Sequence, residues 1–350
     1  MLRGWLFLML VLGLGLASPA HCGLVDRLTK KDPVVLEELC RKGETSHCTS
    51  LGNMYRHGVE VTKDVDKAIE FYGLACSRGD SKNCYYLYQI GFDDLRGKGT
   101  KQNMRRAVKA FTAACDGSAS GIYSGPACHE LAKLHIKGKS VQKDISRGVG
   151  LLHRGCDRYS NPACRDLGDI LLEGSLVSRD VPAAVAAYSK ACDGKDKDNR
   201  ACAQLGYLFS KGEEVKRDVS AAATYLTEAC TFPDRIGTAC YELALLYDSE
   251  LMGKKSEEEI YNLYRVACDQ ADSGRVGSAC VAAAERHLQG KGTKKDPNAV
   301  SHYYSLGCRL KDRESCRLSC EFHCKEGQPH ACAAIKTGNI PLGVSNCFKP

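Results

Sequence analysis

Residues 48–76 read CTSLGNMYRHGVEVTKDVDKAIEFYGLAC, a stretch that opens and closes on cysteine. The same frame recurs along the chain. Its first cysteines are Cys48, Cys84, Cys128, Cys164, Cys202, Cys240 and Cys280, and its last are Cys76, Cys115, Cys156, Cys192, Cys230, Cys268 and Cys308. Six of the seven spacings are 28 and one, Cys84 to Cys115, is 31. A fixed period of this length marks a repeat array.

Each copy reads as two helices. With the first cysteine as position zero, apolar or small residues stand at +3, +4 and +7, as in Leu167, Gly168 and Leu171, which is one helical face. Five copies then carry glycine at +10 (Gly58, Gly138, Gly174, Gly212 and Gly290), the residue type that ends a helix in the left-handed conformation. Twelve residues before each last cysteine stand Asp64, Asn103, Asp144, Asp180, Asp218, Ser256 and Asp296, all N-cap formers. Four residues before it stand Tyr72, Phe111, Leu152, Tyr188, Leu226, Tyr264 and Tyr304. A two-helix unit buries its apolar face only by stacking on its neighbours. The expectation is an all-α, α/α superhelical solenoid of seven two-helix repeats with capping elements at both ends.

The chain has 350 residues, 21 cysteines and a formal net charge of +7. That many thiols points to an oxidising compartment. The modest charge, the single Trp and the absence of a basic run interleaved with aromatics give no nucleic-acid signature. Residues 1–22 read as a signal peptide: Arg3 is the positive end, and Leu6 to Ala17 is an apolar run too short to span a membrane. Cleavage after Cys22 leaves an even number of cysteines, cleavage after Ala20 leaves an odd thiol at Cys22, and lipidation of Cys22 is the third outcome. Residues 23–47 read as an N-terminal capping helix, 48–316 as the seven repeats and 317–350 as a cysteine-rich C-terminal cap.

The pattern Cys-x-x-Leu-Gly-x-x-Tyr-x-x-Gly, then Val-x-Lys-Asp, then Ala-x-x-x-Tyr-x-x-Ala-Cys resembles the Sel-one-like repeat, a relative of the tetratricopeptide repeat. It looks in particular like the secreted Helicobacter cysteine-rich proteins, over about residues 40 to 332. Repeat 84–115 departs from the pattern by three extra residues and by Tyr88 at the small position. Repeat 240–268 departs from it by lacking the loop glycine. Disulfides are expected at the junctions, each closing a short loop: Cys40–Cys48, Cys76–Cys84, Cys115–Cys128, Cys156–Cys164, Cys192–Cys202, Cys230–Cys240, Cys268–Cys280 and Cys308–Cys316. In the tail, Cys320–Cys347 and Cys324–Cys332 bridges compete with a zinc site that would use His323 or His330, and oxidising conditions favour the bridges. No metal or other cofactor is expected.

The resemblance also implies β-lactam or peptidoglycan-related binding with weak β-lactamase-type hydrolysis. Ser140-Val-Gln-Lys143 and Lys336-Thr337-Gly338 match two serine β-lactamase elements, and no Ser-Asp-Asn accompanies them. Lys143 has a plainer reading as the basic residue before an N-cap. The same place holds Lys63, Arg179, Arg217, Lys255 and Lys295, with Gln102 the exception. These form either solvated loop charges or a positive ridge for anionic lipid or polysaccharide. His135 and His287, at +7, read as packing residues. The catalytic residues of any hydrolysis are left unassigned, and the balance leans against an enzyme.

In tetratricopeptide arrays the first helices line the concave face, and by analogy +1, +5 and +8 would face a groove. The residues expected to hold an extended peptide or protein segment are Asn53, Arg56, Tyr85, Gln89, Lys133, Arg165, Asp169, Tyr207 and Tyr241. The leading expectation is a monomeric, secreted or periplasmic scaffold that binds protein. The alternatives are the hydrolase and a mitochondrial intermembrane-space assembly factor.

Overall fold

A computed structural model describes residues 32–338 and 340, apart from 98–101, 118–122, 140, 194–195, 232–234, 250–254, 271–275 and 339. The expected signal peptide, Cys22, Ser140 and Cys347 therefore lie outside the described residues. The chain forms two units, one up to Arg158 and one from Tyr159. No strand occurs among the described residues.

The first unit holds α1 (Pro33–Lys42), α2 (Thr45–His57), α3 (Val65–Ser77), α4 (Ser81–Arg96), α5 (Met104–Asp116), α6 (Ser124–Lys137) and α7 (Ile145–Asp157). The second holds α8 (Asn161–Glu173), α9 (Val181–Cys192), α10 (Asn199–Lys211), α11 (Val219–Ala229), α12 (Gly237–Asp248), α13 (Glu257–Asp269), α14 (Gly277–Gln289), α15 (Pro297–Arg309), α16 (Arg313–Lys325) and α17 (Pro329–Thr337). Even-numbered helices are the first of each pair and odd-numbered ones the second, with α1 an N-terminal cap and α16–α17 a C-terminal one.

All seven expected N-caps accept from a backbone N–H of their helix's first turn; Asp64 Oδ1, for example, lies 3.0 Å from Lys67 N. The five loop glycines end the first helices with φ between 64° and 73°. The residue before the N-cap closes the loop from the other side. Arg179 Nε donates to the Leu172 carbonyl at 2.8 Å and Arg217 Nε to that of Ser210 at 3.0 Å, both at +8. Gln102 does the same to Leu95 at 2.6 Å, so it shares the task of the basic residues. In these three repeats the side chain satisfies an orphan helix-end carbonyl.

The extra residues of the second repeat lie inside its first helix. α4 has 16 residues where its counterparts have 12 to 14, and it ends at Gly97. The register slides by three. The N-cap N–H that elsewhere donates to the +7 carbonyl (Asp64 to Tyr55, Asp180 to Leu171) here runs from Asn103 to Asp94, at +10. The small position moves from Tyr88 to Gly91, where a Cβ would lie 2.6 Å from the Phe111 ring. Tyr88 itself is half-buried and packs edge-on to Phe92 at 5.0 Å.

Every cysteine among the described residues is disulfide-bonded. Cys40–Cys48, Cys76–Cys84, Cys115–Cys128, Cys192–Cys202, Cys230–Cys240, Cys268–Cys280 and Cys308–Cys316 each join the end of one unit to the start of the next, and Cys324–Cys332 joins α16 to α17 within the C-terminal cap. Cys156, Cys164 and Cys320 are also bridged. Bridges of this number require an oxidising compartment. A separation of eight leaves room only for a tight turn with one left-handed residue: Gly43 (φ 115°), Gly79 (94°) and Gly327 (84°) supply it, and so does Lys311 (64°).

A candidate peptide-binding face on the first helices

In four repeats the residue four before the last cysteine is a buried tyrosine, and in three of them its hydroxyl bonds a side chain of the first helix. Tyr72 donates to Asn53 Oδ1 at 2.8 Å, Tyr188 to Asp169 Oδ1 at 2.7 Å and Tyr264 to Asp248 Oδ2 at 3.1 Å. Burial pushes the Tyr72 hydroxyl up to about 12, and the Tyr188 and Tyr264 hydroxyls further up still. Burial also holds the Asp169 carboxyl above its usual range, with the Tyr188 hydroxyl opposing that shift. Asn53 and Asp169, two residues expected to face a ligand, thus satisfy hydroxyls of their own repeats.

The +1 residues reach along the array to the start of the next first helix. Thr49 Oγ1 accepts from Asn83 Nδ2 at 2.8 Å. The Tyr85 and Tyr123 rings lie 4.6 Å apart. Arg165 pairs with Asp198, the N-cap of α10, at 2.5 Å, and Tyr241 hydrogen-bonds Ser278 on α14. Of the other expected residues, Gln89 donates to Tyr85, Lys133 pairs with Glu130 at 2.9 Å, and the Arg56 guanidinium lies 5.7 Å from the Tyr86 ring centre.

Repeat five lacks both ties. Its +1 residue is Ala203, too short to reach α12, and its core residue is Leu226, with no hydroxyl. Its +5 residue, Tyr207, is 45 % exposed. In the space left between α10 and α12 lies an open cavity of about 870 Å³. Tyr207, Tyr241, Ala203 and Leu226 line it, with Gln204, Thr238, three cations (Arg200, Lys211 and Arg235) and one carboxylate, Glu242. Lys211 Nζ lies 3.5 Å from Glu242 Oε2 and 5.3 Å from the Tyr207 ring centre. Burial raises the Tyr241 hydroxyl, and its bond to Ser278 opposes this. The N-cap residue of α12 is Ile236, which provides no side-chain cap, so this helix end adds a partial positive charge.

Of the nine residues expected to bind a ligand, Tyr207 and Tyr241 are the two that meet in this cavity. The face continues beside it. Leu245 (+5 on α12) is 37 % exposed and Leu288 (+8 on α14) is 46 % exposed, large apolar side chains facing water. Sequence reasoning missed Arg200, Gln204, Arg235, Thr238 and Glu242, which sit outside the +1, +5 and +8 series. The available signal was the conjunction of Ala203 with Leu226, since each removes a contact that neighbouring repeats keep.

The other sequence candidates resolve differently. Lys143 packs by its Cβ against the loop at Gly138, Ser140 lies outside the described residues, and Thr337 Oγ1 donates back to the Ala333 carbonyl at 3.0 Å. Among the described residues no group of His, Cys, Asp and Glu is placed to hold a metal ion. His287 is hydrogen-bonded as well as packed, to Tyr261 Oη at 2.9 Å and to the Lys294 carbonyl at 3.0 Å. Ser301 Oγ lies 2.9 Å from His323 Nε2 and ties α15 to α16.

A family model, the Sel1 repeat, matches residues 48–80, 85–118, 125–160, 161–196, 199–231, 237–272 and 277–312, well over half of the chain. The protein belongs to the Sel1 repeat family. Among solved structures, this Sel1 chain is similar to a protective antigen of uropathogenic Escherichia coli displaying an SLR fold (19 % identity, 90 % of this chain and 77 % of that one, TM-score 0.44). It is also similar to a Sel1 repeat protein from Oxalobacter formigenes (22 % identity, 65 % of this chain and 88 % of that one, TM-score 0.47). No curated protein matches the chain in sequence. No helix among the described residues is long and apolar enough to cross a membrane.

Proposed function

We propose that this Sel1 repeat protein is a secreted or periplasmic scaffold that binds an extended protein segment on the first-helix face of its second unit. The observation that carries this reading is the α10/α12 cavity, lined by two tyrosines and continued by exposed Leu245 and Leu288. Exposed apolar side chains grouped on one face favour an interaction surface, and tyrosines with mixed polar groups suit a peptide whose backbone must also be satisfied. The junction disulfides stiffen the face and lower the ordering cost of binding.

The test is selection of displayed random 12-residue peptides on the full oxidised protein. Enriched peptides should bind the wild type and fail on Leu226→Tyr and on Leu245→Asp. Peptides that bind both variants unchanged, or no enrichment over bare support, would remove this reading. Sequencing the mature N-terminus of secreted material checks the export half of the proposal: a start near Gly23 supports it, and a retained Met1 counts against it.

A further inference from the structure

The charges around the α10/α12 cavity specify the chemistry of its occupant. Arg200 and Lys211 face it against one carboxylate, Glu242, while Arg235, also in the lining, has an interaction of its own within the protein. Glu242 meets Lys211 at 3.5 Å, a loose pair between side chains that are 39 % and 21 % exposed. Arg200 is exposed and forms no ion pair among the described residues. Elsewhere on this face the cations are matched: Arg165 bonds Asp198 and Asp166, Lys197 bonds Glu228 at 2.6 Å, and Arg286 bonds Asp248 and Glu257. The cation left unmatched on this face is therefore Arg200, beside the cavity. Beyond it the face turns apolar at Leu245 and Leu288. An anion entering beside Arg200 and Lys211 would be sheltered by the Tyr207 and Tyr241 rings, where charge-assisted hydrogen bonds gain from lower solvation.

We propose that the cavity takes an aspartate or glutamate side chain of the bound segment, while apolar residues of that segment run over Leu245 and Leu288. This rests on the segment-binding reading above and names its partner: an acidic-apolar stretch of protein. Tyr207 supplies ring area, Arg200 and Lys211 the counter-charge, and Gln204 and Thr238 hydrogen-bonding groups for the segment's backbone.

The experiment uses the same displayed 12-residue library on the full oxidised chain, followed by synthetic peptides. Selected sequences should share one Asp or Glu beside Leu, Ile, Phe or Tyr. Changing that acid to its amide should weaken binding about tenfold. Arg200→Gln and Arg200→Glu should lose affinity for the acidic peptide and discriminate little between acid and amide. The affinity of the acidic peptide should also fall with added salt. Enrichment of peptides with no acidic preference, or equal acid-to-amide losses in wild type and charge-reversed protein, would overturn this inference and leave segment binding standing. No enrichment at all would overturn both.

Discussion

Repeats four and five share a frame and differ in what fills it. In the α8–α9 pair, Arg165 reaches Asp198 at the next first helix, and Tyr188 over Gly168 donates to Asp169. In the α10–α11 pair the equivalent residues are Ala203, Leu226, Gly206 and Tyr207. The first set spends its polar groups on itself. The second leaves a cavity between α10 and α12 and turns a tyrosine outward. A solenoid can thus acquire a site by deleting internal contacts in one repeat, because the neighbouring repeats and the junction bridges hold the backbone in place.

Five variants break or sharpen that comparison. The largest effect should come from Cys192→Ala with Cys202→Ala, which unlinks the two repeats. The closed loop spans ten residues, so the loss should be about 2.5–3 kcal/mol in the chain-entropy model, read by denaturant unfolding. Next, Gly168→Ala sets a Cβ 2.6 Å from the Tyr188 ring and Gly206→Ala sets one 2.6 Å from Leu226 Cγ; both side chains are buried, but Leu226 also lines the cavity, which gives it space to shift into. Melting curves should show a cost of about 1–3 kcal/mol for the first and less than about 1 for the second. Equal costs would deny the slack in repeat five.

Tyr188→Phe should cost about 1–2 kcal/mol and depend on pH. Asp169 has a raised carboxyl pKa in the folded state, so the native protein holds its proton more readily than the unfolded chain. Stability therefore falls as pH rises from the ordinary carboxylate range through that raised value. Removing the hydroxyl takes away the group that opposes the shift, so the variant's deficit should be larger near neutral pH than at about pH 4. A pH-independent deficit would show that the pair is not coupled. The smallest effect should come from Tyr159→Gly, just before repeat four. Tyr159 is 91 % exposed at φ 59°, in the left-handed region. Its replacement should gain about 0.5–1 kcal/mol in a melt.

The helices, their caps and the junction bridges were legible because each depends on a residue type at a fixed place in the period. Asp180 caps α9 for the same reason that Asp64 caps α3. The register of repeat two was not legible: the count showed three extra residues but not that they lengthen α4 and hand the small position to Gly91. The proposed binding face was readable in the sequence only as a series of positions. Whether a +5 residue is tied within its repeat depends on its own polarity and on the residue 19 positions later, across the helix pair. Leu245 has Tyr264 there yet stays exposed, because Tyr264 bonds Asp248 instead. Asn53 and Asp169 have tyrosines there, Tyr72 and Tyr188; Tyr207 has Leu226. Arg200 and Arg235 lie near the cavity through the turn geometry at the starts of α10 and α12, which no period reports.

The central claim is that Leu226 keeps open the cavity that a tyrosine fills in repeat four. Leu226→Tyr restores the phenol over a glycine that already has room for it, as Gly168 does for Tyr188. The decisive measurement is titration of the tightest selected 12-residue peptide into wild type and Leu226→Tyr, with the melting temperature of each recorded. The account predicts affinity at least about tenfold weaker in the variant and a melting temperature equal or higher. Unchanged affinity in a folded variant would contradict it.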